Sequence, residues 1–216
     1  MRIGVLGTGQ VGHAIASKLA SLGHEVKMGS RTSDNANAAE WVTSAGAGTS
    51  QGTFADAASF GELVFNCTAG GASIGALHAA GVENLAGKVL VDVANTLDFS
   101  QGRPPSLLIT TKESLGEQIQ EAFPETRVVK TLNTMNNEVM VDPSKVPGEH
   151  DVFLSGNDED AKQTVRGLLE SFGWPPASII DLGDISTARG PELYLPLWLR
   201  LWGVAGGPHF NIKLVR

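Results

Sequence analysis

Residues 1–31, MRIGVLGTGQVGHAIASKLASLGHEVKMGSR, decide how this chain is read. Ile3, Val5 and Leu6 make a short apolar run with strand character, and Gly7-Thr8-Gly9-Gln10-Val11-Gly12 follows at once. Val11, Ala14, Ile15, Ala16, Leu19 and Leu22 then recur at helical spacing until Gly23 stops the helix, and Glu25-Val26-Lys27-Met28 reads as a second strand closing on Gly29-Ser30-Arg31. Strand, glycine turn, helix and strand in this order form a grip for a dinucleotide. Gly7 permits the tight turn, Gly9 lets the backbone approach a pyrophosphate without a Cβ in the way, and Gly12 allows the helix to pack close on the strand. The pyrophosphate then rests on unpaired N–H groups at the positive end of the helix dipole.

The end of the second strand says which dinucleotide. An NAD site places a carboxylate there for the ribose hydroxyls, whereas this chain offers Gly29-Ser30-Arg31-Thr32. A guanidinium binds a 2′-phosphate with a planar fork, and a serine adds a neutral donor. One charge-assisted hydrogen bond contributes about 1.5–3 kcal/mol, so the pair predicts NADP over NAD by roughly 10- to 100-fold in affinity.

Outward from this stretch, a chain of 216 residues suits one large domain, or one domain with an appendage. With 18% charged and 42% hydrophobic residues it reads as globular, and a net charge of -7 argues against a nucleic-acid binder, which needs a basic footprint. Met1 leads straight into the first strand without a signal peptide, and no apolar run reaches transmembrane length, so a cytoplasmic protein is expected. The lone Cys67 and five scattered histidines make no metal-ligand pattern. Cys67, inside an apolar strand, reads as a small buried hydrophobe. His209, in a Gly-Pro-rich tail, is the histidine best placed for a role.

Further along, Ser33 or Asp34 is expected to cap a helix ending at Gly46, residues 46–52 to form a loop, and Phe54 to Ala58 a short turn. Leu63-Val64-Phe65-Asn66-Cys67-Thr68 reads as a buried parallel strand. Thr68-Ala69-Gly70-Gly71 ends it, either lining the cofactor's path or making only a flexible turn. A helix from Ser73 to about Ala80 precedes the strand Lys88 to Asp92, which ends in Val93-Ala94-Asn95-Thr96. The loop Ser100 to Ser106, with Gly102-Arg103-Pro104-Pro105, lies where a mobile active-site loop belongs. Ser114 and Glu117 have capping-box spacing for a helix ending by Pro124.

Arg127 to Leu132 is a strand followed by Asn133-Thr134-Met135-Asn136-Asn137, whose amides either cap the next helix or hydrogen-bond a ring carbonyl or carboxamide. Asp151 to Gly156 and Ser178 to Asp181 are strands that extend the sheet, with a helix between them capped by Asn157 or Asp158 and ended by Gly173. From Asp184 the pattern changes. Leu193, Leu195, Leu197, Trp198, Leu199, Leu201, Trp202 and Val204 are apolar on nearly every side, which implies burial all round, against the sheet or in a homodimer. The expected fold is α/β, with a doubly wound, mostly parallel sheet of the NAD(P)-binding Rossmann type over residues 1–183. An apolar helical tail over 184–216 packs on the domain or on a partner subunit.

Several motifs together, Gly7 to Gly12, Met28-Gly29-Ser30-Arg31, Val91-Asp92-Val93-Ala94-Asn95 and Arg127-Val128-Val129-Lys130-Thr131-Leu132-Asn133-Thr134, resemble the F420-dependent NADP oxidoreductase family. They also look like the reductase domain of the membrane metalloreductases, without the membrane part. The resemblance implies hydride transfer between C4 of the nicotinamide of NADPH and C5 of a deazaflavin, or a flavin-type acceptor, stacked at the sheet's carboxyl edge. It implies that Thr8, Gly9, Gln10 and Val11 cradle the pyrophosphate, that Ser30 and Arg31 hold the 2′-phosphate, and that Thr68 with Ala69 and Ala94 with Asn95 flank the nicotinamide ribose. Asn133, Thr134 and Met135 would lie near the reacting rings. Hydride moves directly between cofactors, so no side chain is expected as acid, base or nucleophile. An anionic F420 tail would need cationic contacts, for which Arg103, Lys112, Arg189 and Lys213 are available, with no position fixed by the sequence. A redox sensor that binds NADP without chemistry, or a reductase of a small carbonyl or imine, are the rivals. The last normally calls for a proton donor, and the chain lacks a Tyr-x-x-x-Lys pattern, its only tyrosine being Tyr194.

Overall fold

Alternating β and α segments set the architecture, because each strand buried on both faces needs a helix to cover it. The computed structural model describes residues 1–98, 100, 102, 105–108 and 112–215. In chain order the elements are β1 (Arg2–Leu6), α1 (Gln10–Ser21), β2 (Glu25–Ser30), α2 (Ala36–Ala45), β3 (Thr49–Thr53), α3 (Phe54–Phe60), β4 (Leu63–Asn66), α4 (Gly70–Ala80), α5 (Val82–Leu85) and β5 (Val89–Asp92). Then come the two-residue strands β6 (Leu97–Asp98) and β7 (Ser106–Leu107), α6 (Leu115–Ala122), β8 (Arg127–Thr131), α7 (Asn137–Val141), β9 (Val152–Gly156), α8 (Glu159–Phe172), β10 (Ile179–Asp181), α9 (Arg189–Leu193) and α10 (Leu195–Ala205).

Eight strands form one sheet in the order β10-β9-β8-β5-β4-β1-β2-β3. All neighbours are parallel except β8 and β9, which run antiparallel. The last two strands thus extend the sheet, as expected. The order reverses between β1 and β4, and ligands of such sheets bind in the crevice beyond the carboxyl ends at that switch. Two apolar layers cover the sheet: Ile15, Leu19, Trp41, Val165 and Phe172 belong to one, Leu77, Leu85, Ile119 and Phe123 to the other.

The structure corrects several local expectations. The cap of α2 is Asn35, whose side chain accepts the Ala38 N–H, in place of Ser33 or Asp34. Part of the expected 46–52 loop is β3, an edge strand paired only with β2, and its sequence TSQGT has no apolar alternation to announce it. The supposed turn at Phe54 is α3, opened by a capping box between Thr53 and Asp56. Helix α4 begins at Gly70, before Ser73, and a Cβ at Gly70 would lie 2.5 Å from the Asn95 carbonyl oxygen. Gly70 is therefore a close-packing glycine and not a flexible turn. The apolar C-terminal helix is only partly covered: Leu195 and Trp198 are buried, while Leu197, Trp202 and Val204 are exposed at 54%, 43% and 86%. After α10 the chain returns beside β9, where Asp151 donates its N–H to Ile212 and accepts from the Leu214 N–H and the Lys213 ammonium. Among the described residues no helix is long and apolar enough to cross a membrane.

Candidate functional site

At the switch point the glycine loop does what its spacing requires. Gly7 adopts φ +116°, open to glycine but strained for other residues, and a Cβ there would lie 2.6 Å from the Cys67 carbonyl oxygen. A Cβ on Gly12 would sit 2.1 Å from the Gly7 carbonyl oxygen, so this glycine allows α1 to rest on the turn. Gly9 is different: a Cβ there would meet nothing within 4 Å. Its missing side chain leaves open space where a ligand backbone would approach. Gly9 is also the N-cap of α1, without a side-chain cap, so the first N–H groups point free at the helix's positive end.

Around this loop lies a cleft of about 910 Å³ lined by Gly7, Thr8, Gly9, Ser30, Arg31, Thr32, Asn35, Cys67, Thr68 and Ala69, with Phe54 and one side of α4. Arg31 is the one charged side chain among the described residues lining it, and no carboxylate is present. Ser30 is 5% exposed; its hydroxyl donates to the Thr32 carbonyl and accepts the Thr32 N–H. The serine thus shapes the turn that leaves Arg31 exposed beside the cleft. Burial pushes the Cys67 thiol far above its ordinary pKa, and the Asp92 carboxylate adds to this, so no thiolate is available for chemistry. A second groove, about 780 Å³, lies between Gln10, His13 and Ser17 of α1, Asn136 to Glu138, and Trp202 with Pro208 of the C-terminal segment.

The remaining predicted residues sit deeper. Ala94, Asn133, Thr134 and Met135 are buried, and Asn95 is half-buried. Asn95 donates to the Asn133 carbonyl and accepts from the Asn133 amide, which closes the ends of β5 and β8 together. Leu132, just before this pair, has φ +63°, the one positive φ outside glycine among the described residues. Strain of this kind persists only where the surroundings hold it. Asn136 caps α7 through the Glu138 N–H, so capping is realised at that position.

Beside the ends of β5 and β8 lies a buried polar cluster that sequence reasoning missed. The Lys130 ammonium donates to Asp92 Oδ2 at 2.8 Å, to Glu192 Oε1 at 3.0 Å and to the Ala94 carbonyl, which uses all three of its hydrogens. Burial disfavours the ammonium, but the two carboxylates and their hydrogen bonds outweigh this and hold its pKa above the usual lysine value. Glu192 also accepts the Leu115 and Gly116 N–H groups at the start of α6. The expected cations are otherwise engaged: Arg189 pairs with Glu117, Lys213 with Asp151 and Glu149, and Lys112 has an interaction of its own. Arg103 and Pro104 lie outside the described residues. His209 meets Glu138 at 3.0 Å on the surface. Among the described residues no group of side chains could hold a metal.

The sequence profile described as NADP oxidoreductase coenzyme F420-dependent matches residues 2–96. A crystal structure from Arthrobacter sp. FB24, provisionally assigned as an F420-dependent NADP-reductase, is 53% identical, superposes with a TM-score of 0.94, and each chain covers 100% of the other. The chain belongs to the F420-dependent NADP oxidoreductase family. Within this family it is 28% identical to the F420-dependent NADP reductase of Methanothermobacter marburgensis, over 93% of this chain and 92% of that protein. It is also 27% identical to the metalloreductase STEAP3 of Rattus norvegicus, over 91% of this chain. The chain spans 38% and 52% of the length of two of the curated relatives it matches.

Proposed function

We propose that this chain is an NADPH-dependent oxidoreductase that moves a hydride between NADP(H) and a deazaflavin, F420, or a flavin-type acceptor. The observation that carries the cofactor assignment is the cleft itself, which surrounds the glycine loop, has Arg31 as its charged residue and contains no carboxylate for a ribose diol. The open space at Gly9 and the uncapped start of α1 fit a pyrophosphate. The names of the family and of the Methanothermobacter enzyme support the deazaflavin as acceptor.

When bound, NADPH would supply the hydride from its nicotinamide ring. The chain's own part is positioning and exclusion of water. Thr8 to Val11 would hold the pyrophosphate, Arg31 the 2′-phosphate through the turn fixed by Ser30, and Thr68, Ala69, Gly70, Ala94 and Asn95 the walls of the nicotinamide half. Asn133, Thr134 and Met135 would back the ring site from beneath. Residues 1–183 would form the NADP-binding domain. Residues 184–216 would form a tail whose exposed Leu197, Trp202 and Val204 support a homodimer.

The test of the cofactor assignment is a pair of dissociation constants at low salt, where surface electrostatics are least screened. NADPH should bind about 10- to 100-fold more tightly than NADH, and Arg31→Ala should remove that margin while leaving NADH unchanged. Equal affinities in the wild type would overturn it.

A further inference from the structure

The geometry points to Lys130, Asp92 and Glu192 as positioning residues that set the spacing of the two walls of the nicotinamide site and make that spacing depend on the docked C-terminal segment. This rests on the NADP reading above. One carboxylate is the hub. Asp92 Oδ1 accepts the Asn66 amide at 2.8 Å and the Ala94 N–H at 3.2 Å, while Oδ2 takes the Lys130 ammonium. Asn66 in turn accepts the Thr68 hydroxyl at 2.7 Å, and Thr68 lines the cleft.

Thr68 after β4, which lines the cleft, and Ala94 after β5, which is buried behind it and forms the second wall in the NADP reading, therefore hang from the same side chain. Lys130 seizes the second wall again through the Ala94 carbonyl. Ala94 is thus held on both sides of its residue, by N–H and by C=O, and cannot shift without breaking a buried hydrogen bond to a charged side chain.

Glu192 brings in the C-terminal segment. It belongs to α9 and is 2% exposed, yet it reaches Lys130 at 3.0 Å and the first N–H groups of α6. Lys130 and two carboxylates leave one net negative charge, which the positive end of α6 offsets. If α9 left, Lys130 would lose one of three acceptors, and α6 would keep its Ser114 cap but lose the carboxylate that accepts its Leu115 and Gly116 N–H groups. The hydride chemistry proposed above tolerates little misplacement, since an error of about 1 Å in a bound ring costs about 100-fold in rate. A hub that fixes both walls is what a direct hydride transfer requires, because its rate depends on positioning.

The test compares two ligands in the full chain. 2′,5′-ADP probes the adenosine half, and NADPH adds the nicotinamide half. For Glu192→Gln the expected result is unchanged 2′,5′-ADP binding, about tenfold weaker NADPH binding, and faster amide hydrogen exchange at Ala94 in the protein without cofactor. Lys130→Met should give the same split, at least as large; if that variant fails to fold, Glu192→Gln decides. Equal weakening of both ligands, or no change in NADPH binding and Ala94 exchange, overturns the proposal. A wild-type protein that binds no 2′,5′-ADP would instead contradict the NADP reading, and the exchange measurement, which needs no cofactor, would still decide the role of the hub.

Discussion

Gly9 and Gly12 are three residues apart in one motif, yet a methyl group has opposite consequences at the two. At Gly12 it would overlap the Gly7 carbonyl oxygen at 2.1 Å, so Gly12→Ala should destabilise the fold by about 1–3 kcal/mol and lose cofactor binding with it. At Gly9 it meets no protein atom, and the backbone at φ −86° suits alanine. Gly9→Ala should therefore keep its melting temperature but lose NADPH affinity, because the methyl occupies the space left for the pyrophosphate. Thermal unfolding and a binding titration on both variants check the pair, and a stable Gly9→Ala protein with full affinity would contradict the pyrophosphate placement. These glycines were legible in the sequence because each answers to a local demand. The Lys130 hub was not, because Asp92, Lys130 and Glu192 are distant along the chain, and only the sheet order β4-β5-β8 with the packing of α9 brings them together.

Among the elements, the start of α6 and both ends of α8 were readable, while the caps of α2 and α3 and the polar edge were not. The capping box at Ser114 and Glu117 is present, Asp158 caps α8, and Gly173 ends it in the left-handed region. Such signals need only three or four residues. The strand β3 gave no signal because an edge with one partner needs no apolar alternation, and α3 was read as a turn although Thr53 and Asp56 carry the same cap spacing. At α6 the cap is reinforced from a distant element. Arg189 hydrogen-bonds both carboxylate oxygens of Glu117, and this contact, outweighing burial and helped by Ser114, holds the Glu117 pKa down to about 2. A depressed carboxylate pKa adds stability above its unfolded value, 4.5, and that stability is lost as pH falls toward 2. The melting temperature should therefore fall more steeply from pH 4.5 to 2 in the wild type than in Glu117→Gln; parallel profiles would show that the contact contributes nothing to the native state.

Across the whole molecule, the sheet and its glycine grip were visible in the sequence because buried parallel strands read as apolar runs between helical patterns. The C-terminal segment was not placed by the same logic. Its helix looked buried on all sides, yet the chain leaves Leu197, Trp202 and Val204 in solvent, and polar contacts through Glu192, Arg189 and the residues after α10 join the buried Leu195 and Trp198 in attaching it. If a second subunit covers that face, the protein sediments as a dimer at micromolar concentration and Leu197→Glu makes it a monomer without unfolding it; a monomeric wild type would contradict the dimer. The central claim, that this fold passes a hydride between NADPH and a deazaflavin, has a more direct test. Purified protein is mixed with F420 and NADPH, with NADH as control, and the deazaflavin absorbance is followed. Rapid bleaching with NADPH and far slower bleaching with NADH is the predicted result. Absence of bleaching in protein that binds NADPH tightly would contradict it.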